Sequence, residues 1–172
     1  MVGGSWTNND GLFLQFGTSK ATPTTAGDYL SYGEWRDIEF TVTLSALSTS
    51  PTIIANTTFL GTNIFLESVN VNMESAATGG TSLSIGTMRL DRSTVIANNN
   101  IVNALVTASM TAGASITMVG GSTSAGALVG TTVTTSQLPD GAAYITATVG
   151  GTYSAGVAKV RLRYRGIGTI TQ

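Results

Sequence analysis

Between Val157 and Gly166 the chain reads V-A-K-V-R-L-R-Y-R-G, with Lys159, Arg161, Arg163 and Arg165 on every second residue. Val160, Leu162 and Tyr164 stand between them. A β-strand sends successive side chains to opposite faces, so an extended chain here has a row of four cations on one side and an apolar row on the other. A helix would scatter the same charges around its circumference. Half of the chain's eight basic residues sit in this one segment. It must therefore cover a core with one face and meet acidic groups with the other.

The same alternation recurs from Trp35 to Leu44. Ile38, Phe40, Val42 and Leu44 alternate with Asp37, Glu39, Thr41 and Thr43, which predicts a half-buried strand that opens outward with two carboxylates. Thr52 to Phe59 reads as a short strand or a crossing loop. From Ile64 to Glu74, Val69, Val71 and Met73 oppose Ser68, Asn70, Asn72 and Glu74, with a slip near Phe65–Leu66–Glu67 that predicts a bulge. Ala76 to Gly80 reads as the turn of a hairpin whose second strand is Ser82 to Leu90. Between Asp91 and Gly113 the spacing of Ile101, Val102, Leu105 and Val106, with Asn98 to Asn100 as caps, predicts one short helix. Ser115 to Val119, Ala127 to Thr135 and Ala143 to Val149 read as further short strands.

Eight or nine strands with regular turns and one short helix predict an all-β fold, an antiparallel β-sandwich of jelly-roll type. In that topology the first and last body strands lie side by side. Asp37 and Glu39 then face the row of cations, and such cross-strand pairs are worth about 0.2–1 kcal/mol each. Two carboxylates against four cations leave a surplus of positive charge. A protein partner, or Glu67 and Glu74 of a neighbouring copy, is the favoured complement; intrachain pairing and nucleic-acid phosphates are the alternatives.

The 172 residues suit one sandwich, residues 34–172, behind an extended N-terminal arm, residues 1–33. Trp6, Phe13 and Phe16 are the arm's candidate anchors. Only 10% of residues are charged, far below the quarter usual for soluble domains, which suits a surface covered by partners. The net charge is −1, so no overall field draws nucleic acid. Residues 1–86 hold seven acids against Lys20 and Arg36, and the second half holds six cations against Asp91 and Asp140. The halves attract each other, within a chain or between chains.

There is no cysteine and no histidine. Disulfides, thiol chemistry, Ser-His-Asp triads and the commonest zinc sites are therefore excluded, and no cofactor is expected. Met1-Val-Gly-Gly-Ser predicts no cleaved signal, and no apolar run reaches the length of a membrane-spanning helix. Asp37 and Glu39 are a possible carboxylate pair for glycoside hydrolysis, but the adjacent arginines argue against either being a general acid. Asp10, Asp28 and Asp140 stand beside turn glycines, where the side chain bonds its own backbone; calcium is the alternative. Trp6, Tyr29, Tyr32 and Trp35 are candidates for a sugar-stacking platform, but Trp35 begins a strand, which favours core or rim for it.

Three stretches carry a resemblance: N-N-D-G-L at 8–12, A-A-T-G-G-T-S-L-S-I-G at 76–86, and Y-S-A-G-V-A-K-V-R-L-R-Y-R-G-I-G-T-I at 153–170. Their style resembles small virion structural proteins of tailed bacteriophages, nearest to the capsid decoration, or cement, proteins. The resemblance implies a non-enzymatic β-rich subunit, made in the host cytoplasm and carried on the outer surface of the capsid. It also implies a homotrimer with the major capsid protein as partner, and no role in a membrane. The interface residues expected on this reading are Lys159, Arg161, Arg163, Arg165, Asp37, Glu39, Trp6, Phe13 and Phe16. A tail or fibre component, and a carbohydrate-binding β-sandwich for host attachment, are the competing readings.

Overall fold

A computed structural model describes residues 35–54 and 59–167. The predicted arm, with Trp6, Phe13 and Phe16, lies outside the described residues. Ten strands run in the order β1 (Trp35–Thr43), β2 (Thr52–Ile53), β3 (Phe59–Gly61), β4 (Ile64–Gly79), β5 (Ser82–Met88), β6 (Val95–Val106), β7 (Ser115–Val119), β8 (Thr131–Val133), β9 (Ala142–Gly150) and β10 (Tyr153–Gly166). Single 3₁₀ turns occupy Leu44–Ala46 and Thr107–Ser109.

The strands form two antiparallel sheets. The first has the order β1-β10-β4-β7, with β8 also on β4; the second has the order β2-β9-β5-β6, with β3 also on β9. Their inward residues make one buried cluster. From the first sheet come Val42, Val69, Val71, Val160 and Leu162, and from the second Leu60, Leu83, Ile85, Ile145 and Val149. Burying each such side chain contributes about 1.5–3 kcal/mol. The chain is thus an all-β antiparallel sandwich, as the alternation predicts.

Strands β1 and β10 do lie side by side, with Asp37 opposite Arg163 and Glu39 opposite Arg161. The predicted slip is also present: the β10–β4 register shifts where Arg163 meets Ser68 and Tyr164 meets Leu66, leaving Glu67 as the extra residue. That bulge re-aims Glu67 and lets the strand bend.

Two local expectations are corrected. The segment read as a helix is strand β6, paired with β5. Its register slips between Ile85↔Val102 and Thr87↔Ala97, and Ala104 takes φ 50°. These irregularities bring Ile101, Val102 and Leu105 all to the interior, imitating helical spacing. Asn100 caps nothing: its side-chain amide donates to Thr87 Oγ1 at 2.7 Å inside the protein. The segments read as one hairpin, β4 and β5, belong to different sheets. The strand β4 runs on to Gly79, and Gly79 and Gly80 then take φ 81° and 57°, turning the chain across to the opposite sheet. A side chain at either position is disfavoured in that left-handed conformation. Finally, Ala127 to Thr135 yields only the three-residue β8; residues 124–128 instead cover the outer edge of β6, with Leu128 N–H donating to Asn100 C=O at 2.9 Å.

Candidate functional site

The outer face of the first sheet is built by β10 and its two neighbours. Across it, Lys159 lies between Thr41 and Asn72, Arg161 between Glu39 and Asn70, Arg163 between Asp37 and Ser68, and Arg165 between Trp35 and Phe65. Each cation is exposed on its tip, while Ala158, Val160 and Leu162 point into the core.

The surplus of charge read from the sequence does not survive folding. Arg161 holds Glu39 at 2.5 Å and lies 3.9 Å from Asp37; Lys159 holds Glu74 at 3.2 Å; Arg163 lies 3.9 Å from Glu67. Glu67 and Glu74, assigned to a neighbouring copy as one alternative, stand on the same face of the same chain. Three of the four cations meet four carboxylates. The side chains of these pairs are 40–63% exposed, so each contributes at most about 1 kcal/mol. The ladder fixes register more than it adds stability.

Arg165 has an aromatic environment instead. Its guanidinium lies 5.3 Å from the ring centres of both Trp35 and Phe65, and Arg163 lies 5.6 Å from Trp35. Trp35, 40% exposed on the end strand β1, is at the rim and not in the core, and it is no bare sugar platform, because two guanidinium groups stack on it. Toward β7 the face becomes neutral, as Asn70 Nδ2 donates to Thr117 Oγ1 at 2.7 Å and to Ser115 Oγ at 3.1 Å.

A second cluster lies at the β5–β6 turn, and sequence reading missed it because its partners are about fifty residues apart. Arg89 forks onto Asp140, with Nε 3.1 Å from each carboxylate oxygen, and Leu90 N–H donates to Asp140 Oδ2 at 3.1 Å. These bonds hold the Asp140 carboxyl below its ordinary range, and Asp140 in turn raises Arg89. The expectation that Asp140 bonds its own turn is therefore corrected. Asp91 accepts from Thr94 Oγ1 (2.6 Å), Thr94 N–H (2.8 Å) and Ser93 N–H (2.9 Å), which push its carboxyl far below the usual range. Arg92 follows at φ 60°, a conformation that costs a non-glycine residue about 1–2 kcal/mol. Its Nε donates to Tyr144 Oη at 3.1 Å, its guanidinium lies 5.2 Å from the Tyr144 ring centre, and Phe59 packs on that ring with centroids 4.7 Å apart.

Further along the second sheet, Ser82, Ser84, Asn98, Asn99, Asn103 and Thr148 line an open groove of about 410 Å³ that holds no charged and no aromatic side chain. Asn99 Nδ2 donates to Asn103 Oδ1 at 2.9 Å across it. Among the described residues no three His, Cys, Asp or Glu side chains group closely enough to hold a metal ion. No helix among them is long and apolar enough to cross a membrane.

No protein-family model matches the chain and no curated protein matches it. Among solved structures, the capsid of Ralstonia phage GP4 contains a chain of similar fold. The TM-score is 0.55 at 13% sequence identity, over 90% of this chain and 92% of that chain.

Proposed function

We propose that this chain is a non-enzymatic structural protein of a phage virion, carried on the outer surface of the head as a trimeric decoration protein. The observation that carries the reading is the end-to-end likeness in fold to the GP4 capsid chain, which spans nearly all of both chains. The strand order supports it. The orders β1-β10-β4-β7 in one sheet and β2-β9-β5-β6 in the other are compatible with a jelly roll, an architecture that recurs in viral coats. The chemistry agrees, because the charged side chains of the first sheet are engaged with one another and the chain has no histidine or cysteine. The major capsid protein is the partner on this reading, and no cofactor or nucleic acid enters.

A trimer needs two different complementary surfaces on each copy, joined head to tail around a closed ring. A protein of this kind favours the assembled shell over its free subunits, and so stabilises assembly by mass action. The test adds purified protein to shells that lack it and follows co-sedimentation and shell melting. Saturation at a fixed ratio with a raised shell melting temperature is expected; no binding overturns the reading.

A competing reading, a carbohydrate-binding sandwich, draws on the neutral groove of serine and asparagine side chains. It predicts glycan binding by the isolated protein, lost on Asn99→Ala.

A further inference from the structure

Phe59, Tyr144, Met88 and Val95 form a row across the second sheet, since Tyr144 is opposite both Phe59 and Met88 and Met88 is opposite Val95. The row lies outside the main core cluster, whose members on these strands are their neighbours Leu60, Ala143 and Ile145. Tyr144 and Met88 are covered, whereas Phe59, Val95 and the adjoining Leu90 remain about two-fifths exposed. Arg92 lies on this row. Asp91 binds the turn backbone just after Arg92, at Ser93 and Thr94, the left-handed conformation aims the Arg92 side chain, and the Tyr144 hydroxyl accepts from Nε.

The contrast with the other cations near it is informative. Arg89 is neutralised by Asp140, and Lys159, Arg161 and Arg163 have carboxylates, whereas Arg165, like Arg92, lies on aromatic rings instead. Arg92 is held by the Tyr144 hydroxyl and ring, and among the described residues no carboxylate pairs with it. A guanidinium fixed this way suits a carboxylate, which it binds through two parallel hydrogen bonds. Phenylalanine, tyrosine, methionine and arginine are also the residue types enriched at protein interfaces.

We propose that this row, with Arg92 above it, is the surface that docks on the shell, against a protein patch that offers apolar side chains beside a carboxylate. The inference rests on the decoration-protein reading and names the face and chemistry of its contact. Phe59 and Leu90 enter the apolar contact, and Arg92 receives the carboxylate.

Binding isotherms on shells that lack the protein test it, with wild type, Arg92→Glu, Arg92→Lys, Phe59→Ser and Leu90→Ser, each checked for an unchanged melting temperature. Arg92→Glu is expected to weaken binding by about 30-fold or more, the scale of an arginine hot spot. Arg92→Lys keeps the charge but not the fork and falls between. Phe59→Ser and Leu90→Ser, on exposed side chains, weaken binding several-fold without unfolding. If wild type fails to bind shells, the decoration reading falls. If wild type binds and every folded variant binds as well, this inference alone is overturned. It is equally overturned if the variants change the sedimentation of the free protein, because the occupant is then a second copy.

Discussion

The two sheets share one core and have opposite exteriors. Every charged residue within a described strand belongs to the first sheet, on β1, β4 or β10, while the strands of the second carry none. Along β1 and β10 of the first sheet, charge pairing and a clean two-residue alternation agree on a single register, although β10 shifts against β4. In the second, register is irregular along β6 and the backbone folds over its own outer face at Asn98. Fixing a register by charge thus leaves a self-satisfied surface. Fixing it by packing leaves a neutral, uneven surface with exposed apolar side chains, the kind that binds other proteins.

The largest effects test the shared core. Leu162→Ala in β10 and Ile145→Ala in β9 remove fully buried side chains, and each is expected to cost about 2–5 kcal/mol. Denaturant unfolding that shows one site to be nearly silent would break the claim that both sheets rest on a single core.

Next is Gly86→Ala, whose Cβ would fall 2.0 Å from the Ala97 carbonyl oxygen and 2.4 Å from the Asn98 carbonyl carbon. Relief requires backbone movement, so a loss of about 1–3 kcal/mol is expected. Ser68→Ala on the outer face of the first sheet is the matched control and should stay within about 0.5 kcal/mol.

Acid sharpens the comparison at the turn cluster. Asp91 and Asp140 both titrate below their ordinary 3.8 when folded, so the unfolded chain takes up protons first as pH falls. Their stabilisation is complete above that value and is lost as pH drops toward the folded values. Melting temperatures from pH 6 to pH 2 should decline mainly below about pH 4, and Asp140→Asn should flatten the decline.

The smallest effect belongs to the ladder. A double-mutant cycle on Arg161 and Glu39 should give a coupling of about 0.2–1 kcal/mol, reduced in high salt. A coupling of several kcal/mol would show that the ladder holds the sheet together rather than aligning it.

The first sheet was far more legible than the second for the same reason. Alternation from Ile38 to Leu44 and from Lys159 to Arg165 reports burial directly, because neither strand is interrupted there. Even the displaced Glu67 is visible as a break in that pattern. Local alternation says which face a side chain takes but not which strand lies beside it. That is why β4 and β5 read as one hairpin, and why Glu67 and Glu74 read as a neighbour's carboxylates. In β6 the slipped register and the positive φ of Ala104 destroy the period itself, so an edge strand passes for a helix. The Arg89–Asp140 and Arg92–Tyr144 contacts leave no trace in sequence, since each joins side chains that only folding brings together.

Trp35 and Arg165 stand opposite each other, so the body of the sandwich starts and finishes at one corner. A short linker across that corner would give a circular permutant, with new ends opened at the exposed turn around Gly121, where nothing crowds the backbone. Two cargoes spliced ahead of Trp35 and behind Gly166 would likewise leave from adjacent points, which makes that corner a natural place to display a matched pair of tags.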